Sequence, residues 1–506
     1  MNEPVEGPRK AGRREWIGLA VITLPCLLYS MDLTVLHLAV PRLTESLKPT
    51  STQLLWIIDI YGFFVAGSLI TLGTLGDRIG RRKLLLIGAA FFGVASILAA
   101  FSTSAEMLIA TRALLGLAGA TVAPSTLSLI RNMFHDPEER TRAISVWIMA
   151  FSLGGAVGPI VGGALLEYFW WGSVFLASVP VMLLILVVGP KLLPEYRDPN
   201  AGKLDLVSAA MSMAAVLSVI YGLKRMAQDG LVAPAILAVL AGVTLGVLFV
   251  RRQLRLTDPL LDLGLFRIRA FTASLALYGI TILIGFGGFF LLPQYLQLVR
   301  GLTPLVAGLW GLPWALAFVA GSALTPPLAR RMRPALLMAG GLVVTAVAYA
   351  LLTQLTPESG LVFYALVTFA IGVGSSPVFI LTNDVIIGAA PPERAGAASG
   401  ISETCAEFGG ALGIAVFGSL GVVIYRSMLA DSLPAGLPSD VLTATTATLG
   451  SAVAAASHLP AESAAAVVDA ARQAFLRGLQ ICSMVSAVGT LALAVLAART
   501  FRQQGG

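Results

Sequence analysis

Gly73-Thr74-Leu75-Gly76-Asp77-Arg78-Ile79-Gly80-Arg81-Arg82-Lys83 is the stretch on which the fold turns. It is short, basic and punctuated by glycine, and it joins two apolar runs, 53–76 and 84–101. At about 1.5 Å of helical rise per residue, runs of this length match the ~30 Å hydrocarbon core of a bilayer. The glycines permit a tight turn, and Asp77 can pair with an arginine or a helix N-terminus nearby and so latch one conformation at the membrane surface. A basic turn between two spans is held on the cytoplasmic side.

Outward from this turn, further apolar runs occur at 16–41, 105–130, 142–167, 172–190, 204–223, 231–250, 270–298, 303–328, 334–353, 361–389, 396–424 and 473–498, which makes fourteen in all. Composition agrees, since 57% of the 506 residues are apolar and only 12% charged, outside the soluble range. The run 16–41 is too long for a signal-peptide core and lacks a cleavage site, so it is expected to remain as the first span. An even number of crossings puts both ends on one side. The segments on that side hold 25 Lys and Arg, against 8 on the other, so both termini are expected in the cytoplasm. The net charge of +7 comes from clusters between apolar runs and implies no nucleic-acid partner. Cys26, Cys405 and Cys482 each stand alone in or beside an apolar run and read as packing residues. Arg exceeds Lys by 28 to 6, which with the abundant Ala and Gly suggests a GC-rich bacterial source and a bacterial plasma membrane.

An internal repeat organises the chain. Pro137-Glu138-Glu139-Arg140 leads into Gly154-Gly155-Ala156-Val157-Gly158, and Pro391-Pro392-Glu393-Arg394 leads into Gly409-Gly410-Ala411-Leu412-Gly413, making helices five and thirteen counterparts. The expected organisation is a tail (1–15), a six-helix bundle (16–190), an inserted helix pair with flanking loops (191–269), a second six-helix bundle (270–498) and a tail (499–506). Within the second bundle, loop 424–472 carries two apolar runs too short to span and reads as a hairpin or helical cap over the outer mouth, or as a disordered loop.

Ionisable groups inside spans cost at least about 2.5 kcal/mol each at the bilayer centre, so each needs a reason. Asp32 lies near the midplane and reads as a proton carrier or a structural carboxylate. Asp59 and Arg112 reach a common depth, where they pair as a lock or Asp59 contacts substrate or proton. Glu403 and Glu407, four apart, share a face of helix thirteen. Their counterparts in helix five are uncharged, which assigns them to the vectorial chemistry, although Glu403 also suits a solvated entrance. Asp384 reads as a gate at the inner end of helix twelve. Gly154, Gly158 and Gly162 recur every four residues around Pro159, forming either a packing seam or a pivot. Tyr29, Trp56, Trp147, Phe286, Phe290, Tyr295, Trp310 and Trp314 can line a cavity and stack on planar cations, or pack in the core or against lipid.

The 73–83 turn resembles the signature of the major facilitator superfamily, Arg112-Ala113-Leu114-Leu115-Gly116 its helix-four motif, and Gly154 to Gly163 the helix-five motif of its antiporters. Together with Asp32-Leu33-Thr34-Val35, Leu55 to Tyr61 and the Glu403 and Glu407 region, fourteen helices resemble its proton-coupled drug antiporters of the QacA and LfrA type. That resemblance implies an all-α membrane fold of two six-helix bundles plus two inserted helices. It also implies a monomer exporting lipophilic cationic drugs, such as quaternary ammonium compounds, against protons, in contact with lipid and without a cofactor. It implies coupling at Asp32, Arg112 and Asp59, and substrate contact at Glu403, Glu407 and Asp59. The conformational motif would comprise Gly73, Gly76, Asp77, Arg78, Gly80, Arg81 and Arg82, with Gly154, Gly158, Pro159, Gly162 and Asp384. Gly76 stands where alanine is usual and His37 where a small amide is common; His37, about one turn outward of Asp32, relays protons or simply packs. Rival readings are an exporter of one antibiotic or metabolite, uptake by symport, and a sensor that does not transport. An enzyme is disfavoured, because the three histidines, at 37, 135 and 458, are scattered and build no metal or nucleophile centre. No Gly-x-x-x-x-Gly-Lys-Ser/Thr sequence for ATP is present.

Overall fold

The computed structural model describes residues 10–197, 205–256, 259–261, 263–389, 395–430, 432–433 and 437–500. These residues are helical wherever they are regular, with no strand among them. A chain in hydrocarbon must satisfy its backbone internally, and helices do so within one segment.

Among the described residues fourteen helices are long and apolar enough to cross a membrane. Helices one to six are Arg13–Leu47, Ser51–Ile79, Arg81–Ala100, Ala105–Met133, Pro137–Tyr168 and Ser173–Leu192. Helices seven and eight are Leu206–Asp229 and Ala233–Gln253. Helices nine to fourteen are Arg269–Val299, Pro304–Ala329, Pro334–Leu352, Leu361–Gly388, Ala395–Ala430 and Ala461–Thr500. An even number of crossings leaves both chain ends on one face, called the near face here; the opposite is the far face. Helix fourteen starts well before the expected 473, because the small polar run from Ala461 continues the helix beyond the apolar part.

Local chemistry sets the boundaries. Thr50 and Gln53 form a capping box that opens helix two. Gly80 alone turns the chain into helix three at φ +112, a conformation that side chains with a Cβ rarely adopt. Arginines of this turn latch it to neighbouring segments. Arg82 pairs with Glu195 at 3.5 Å and donates to the carbonyl of Leu193 at 2.9 Å, while Arg81 Nη1 donates to the Pro124 carbonyl at 3.3 Å. The partner segment follows helix six; the side chain of Asp77 lies outside the described residues, and Arg78 is exposed.

The repeat is visible in packing. A Cβ on Gly154 would strike the Leu27 carbonyl, and one on Gly158 would meet Met31 and Thr34, so helix five lies directly against helix one. Gly409 and Gly413 bring helix thirteen equally close to Gly279 and Leu283 of helix nine. Small residues allow this approach, and the gain is van der Waals contact, since lipid supplies no hydrophobic drive between helices. The Pro391–Arg394 part of the repeat lies outside the described residues.

Helices seven and eight pack on each other at Gly222 and Gly242. At the near face Asp205 caps helix seven, accepting from Ser208 N at 3.0 Å and pairing with Arg252 at 3.0 Å. Burial opposes the charge on Asp205, but the bonds from Ser208 and Arg252 outweigh it and hold the carboxyl below its usual pKa.

Several contacts join the two bundles in the far half. A Cβ on Gly308 would strike the Pro159 carbonyl, Gln297 Nε2 donates to the Leu38 carbonyl at 3.1 Å, and Glu167 accepts from Leu305 N at 3.3 Å. Residues Ser439–Ala447 and Leu449–Ala456 form two short helices across the far mouth, the helical cap expected within 424–472. Ser51 bonds the Ala447 carbonyl, Arg426 Nε donates to Thr446 O at 3.3 Å, and Gly450 packs on Thr44.

Candidate functional site

Asp32 and Arg112 form an ion pair at 2.5 Å between helices one and four. The Arg112 guanidinium also donates from Nε to the Ile57 carbonyl at 3.1 Å and lies 4.8 Å from the Tyr61 ring centroid. Its side chain is 1% exposed, while that of Asp32 is 16% exposed, so one partner is sealed and the other has access. The expected pairing of Arg112 with Asp59 does not occur. Asp32 reaches the guanidinium from helix one, and Asp59 is taken by a different cation.

That cation is Lys224 of helix seven, whose Nζ lies 2.9 Å from Asp59 Oδ1, with both side chains 0% exposed. The ammonium also lies 4.0 Å from the Trp56 ring centroid. The apolar run ends at 223, one residue short of Lys224, but the helix runs on to Asp229 and buries it. Its signal was present in helix two: Trp56 and Asp59 are three apart, share a face, and offer a ring and a carboxylate to one cation. Asp59 thereby ties helix two to the inserted pair.

Glu407 on helix thirteen accepts from Tyr29 Oη on helix one at 2.5 Å, across the two bundles. Tyr29 sits 6.0 Å from Tyr61 and 5.6 Å from Phe151, between centroids. Asp32, Arg112, Tyr61, Tyr29 and Glu407 therefore form one contiguous series. Glu403, one turn nearer the near face, is exposed although it lies within the span. Among the described residues neither Glu403 nor Glu407 has a basic partner, so their negative charge is uncompensated there. Asp384 is exposed at the near end of helix twelve.

A cavity lies beside this series, between helices one, five, nine, ten, eleven, twelve and fourteen. Of the aromatic candidates, Phe286 and Trp314 line it. Phe290 lines a separate space of about 520 Å³ under the far cap, Trp310 packs half-buried against the core, and Tyr295 is buried. Trp147 bonds Thr126 at 2.9 Å and packs on Phe151. Trp56 packs its ring against the Lys224 ammonium. Cys26 and Cys482 are buried and Cys405 half-buried, all unbridged. No cluster of metal-ligating side chains occurs among the described residues.

A family model described as Major Facilitator Superfamily matches residues 24–414. The chain is 43% identical over 508 residues to the multidrug efflux pump LfrA of Mycolicibacterium smegmatis, covering 99% of this chain and 100% of the relative. It is 37% identical over 468 residues to the methyl viologen resistance protein SmvA of Salmonella typhimurium, covering 92% and 93% of the two chains. It is 31% identical over 505 residues to a tetracenomycin C resistance and export protein of Streptomyces glaucescens, covering 97% and 92%. The fold matches that of a bacterial homolog to the human lysosomal transporter Spinster, in an inward-facing conformation, with a TM-score of 0.69 at 18% identity, over 97% of this chain and 98% of that one.

Proposed function

The chain belongs to the Major Facilitator Superfamily, a family of multi-pass membrane transporters, and from that premise we propose that it is a proton-coupled exporter of amphipathic, mostly cationic drugs in a bacterial plasma membrane. The observation that carries the reading is the series from the Asp32 and Arg112 pair, through Tyr61 and Tyr29, to Glu407 on the opposite bundle. The near face is the cytoplasmic one. With the far half closed, a cation entering from the cytoplasm meets Glu403 and then Glu407, two carboxylates with no basic partner among the described residues. Binding at Glu407 competes with the Tyr29 hydroxyl and so acts on the bond that spans the bundles.

Protonation of Asp32 cancels its attraction for Arg112 and leaves a buried guanidinium held by backbone carbonyls alone, which disfavours that arrangement. Cation binding at Glu407 acts on the bond between the bundles directly, and protonation of Asp32 acts on the series that ends at that bond, which is the linkage coupling requires. The methyl viologen of one relative's name is a flat dication, which suits two unpaired carboxylates. The protein works as a monomer, with lipid around it and no cofactor.

The experiment is proton flux into proteoliposomes carrying an internal pH dye, under an imposed gradient, with a lipophilic monocation, a dication and a neutral analogue offered in turn. Coupled flux that vanishes in Asp32→Asn, and loss of one cation class in Glu407→Gln, are the expected results. A wild type that binds all three and moves no protons would sink the coupling and leave a dedicated exporter or a sensor.

A further inference from the structure

We infer that the cavity lined by His37, Phe286 and Trp314 is a second, uncharged subsite for flat aromatic compounds bearing N–H or O–H groups, anchored by His37 and distinct from the acidic cation site at Glu407. The inference rests on the export reading and adds a substrate class to it. Three observations converge.

First, none of the residues lining the cavity is Asp, Glu, Lys or Arg. A ligand charge placed there would lack a counter-charge, which is costly away from water. Second, His37 is 2% exposed, lines the cavity, and its Nδ1 has no hydrogen-bond partner. A buried polar atom without a partner is uncommon and costly, and a ligand that bonds it would recover that cost. The ring is held edge-on by Phe289 at 6.2 Å and Phe290 at 5.9 Å between centroids, so its direction is fixed by packing.

Third, the hydroxyls around the wall point their hydrogens away. Thr34, Thr281, Thr345, Thr368 and Ser375 each donate to a carbonyl of their own helix. Each is left with acceptor lone pairs on its oxygen, so the wall seeks donors. Ring faces such as Trp314 and Phe289, 5.4 Å apart, serve a neutral ring and a lipophilic cation alike. The hydrogen-bonding wall serves only a ligand with polar hydrogens, and a quaternary ammonium has none.

The test is binding to the full-length protein in lipid nanodiscs by titration calorimetry, using 7-amino-4-methylcoumarin as the uncharged donor and tetraphenylphosphonium as the donor-free cation. His37→Phe keeps the ring volume and removes the nitrogen. It is expected to weaken the coumarin about tenfold and the cation less than twofold. His37→Asn, which restores a polar atom, should keep the coumarin within about threefold of wild type, and Glu407→Gln should weaken only the cation. The proposal is overturned if wild type does not bind the coumarin, if His37→Phe weakens both probes equally or neither, or if Asn fails as Phe does. Wild type binding the cation but not the coumarin defeats this inference alone; binding neither defeats the export reading as well.

Discussion

Removing Lys224 should damage the protein more than removing Lys224 and Asp59 together. Both side chains are fully enclosed and 2.9 Å apart, and Asp59 Oδ2 already has no hydrogen-bond partner. Lys224→Met keeps most of the volume but strands the carboxylate, and breaking a buried pair from one side costs about 3–5 kcal/mol. Loss of the ammonium from the Trp56 face adds about 1 kcal/mol. In Asp59→Asn with Lys224→Met neither charge remains, and the double variant should return to within about 1 kcal/mol of wild type. The coupling energy between the two positions is then at least about 2 kcal/mol. Reversible unfolding in mixed micelles with rising SDS, followed by tryptophan fluorescence, supplies all four corners of the cycle. Additive single effects, with the double variant as unstable as their sum, would refute the pairing and with it the idea that helix seven is pinned through charge.

Two further predictions test the packing and the far closure. Gly154→Ala sets a Cβ against the Leu27 carbonyl and should lower stability by about 1–3 kcal/mol, whereas Gly246→Ala, with nothing within 4 Å, should be neutral or better; thermal unfolding in detergent separates them. A Cβ on Gly450 would lie 3.3 Å from that of Thr44, so Thr44→Cys with Gly450→Cys, in a background lacking Cys26, Cys405 and Cys482, should form a disulfide. Export from loaded cells should stop on oxidation and return with a reductant, and export that continues through the bridged form would show that the cap does not move.

The number and positions of the spans were legible because hydropathy is a property of each segment alone. The glycine repeat was legible too, since close backbone approach leaves a four-residue spacing in either helix. What pairs with what was not. Asp59, Arg112 and Asp32 lie at similar depths, and depth is all that rise per residue gives; rotation about each helix axis decides the partner. Lys224 escaped because a charge at the end of an apolar run reads as the boundary of a span, and only helix two, 165 residues away, reveals why it is tolerated inside. Glu195 escaped likewise, being a carboxylate in a connector whose role exists only once Arg82 is beside it.

The two buried ion pairs differ in a way that divides their work. The Asp59 and Lys224 pair is closed on both sides and joins a bundle helix to the inserted pair, so neither group can exchange a proton without a large opening. Asp32 and Arg112 join two helices of the same bundle, and only the guanidinium is closed. A carrier that takes up and releases a proton each cycle needs a carboxylate with intermittent access and a partner that stays in place when the charge is lost. Arg112 meets the second condition because Ile57 and Ile58 carbonyls hold it independently of Asp32. Asp59 meets neither, since its charge is what holds Lys224. If coupling runs through one of these pairs, the asymmetry assigns it to Asp32, and neutralising Asp59 with Lys224 should leave proton flux in place while neutralising Asp32 abolishes it.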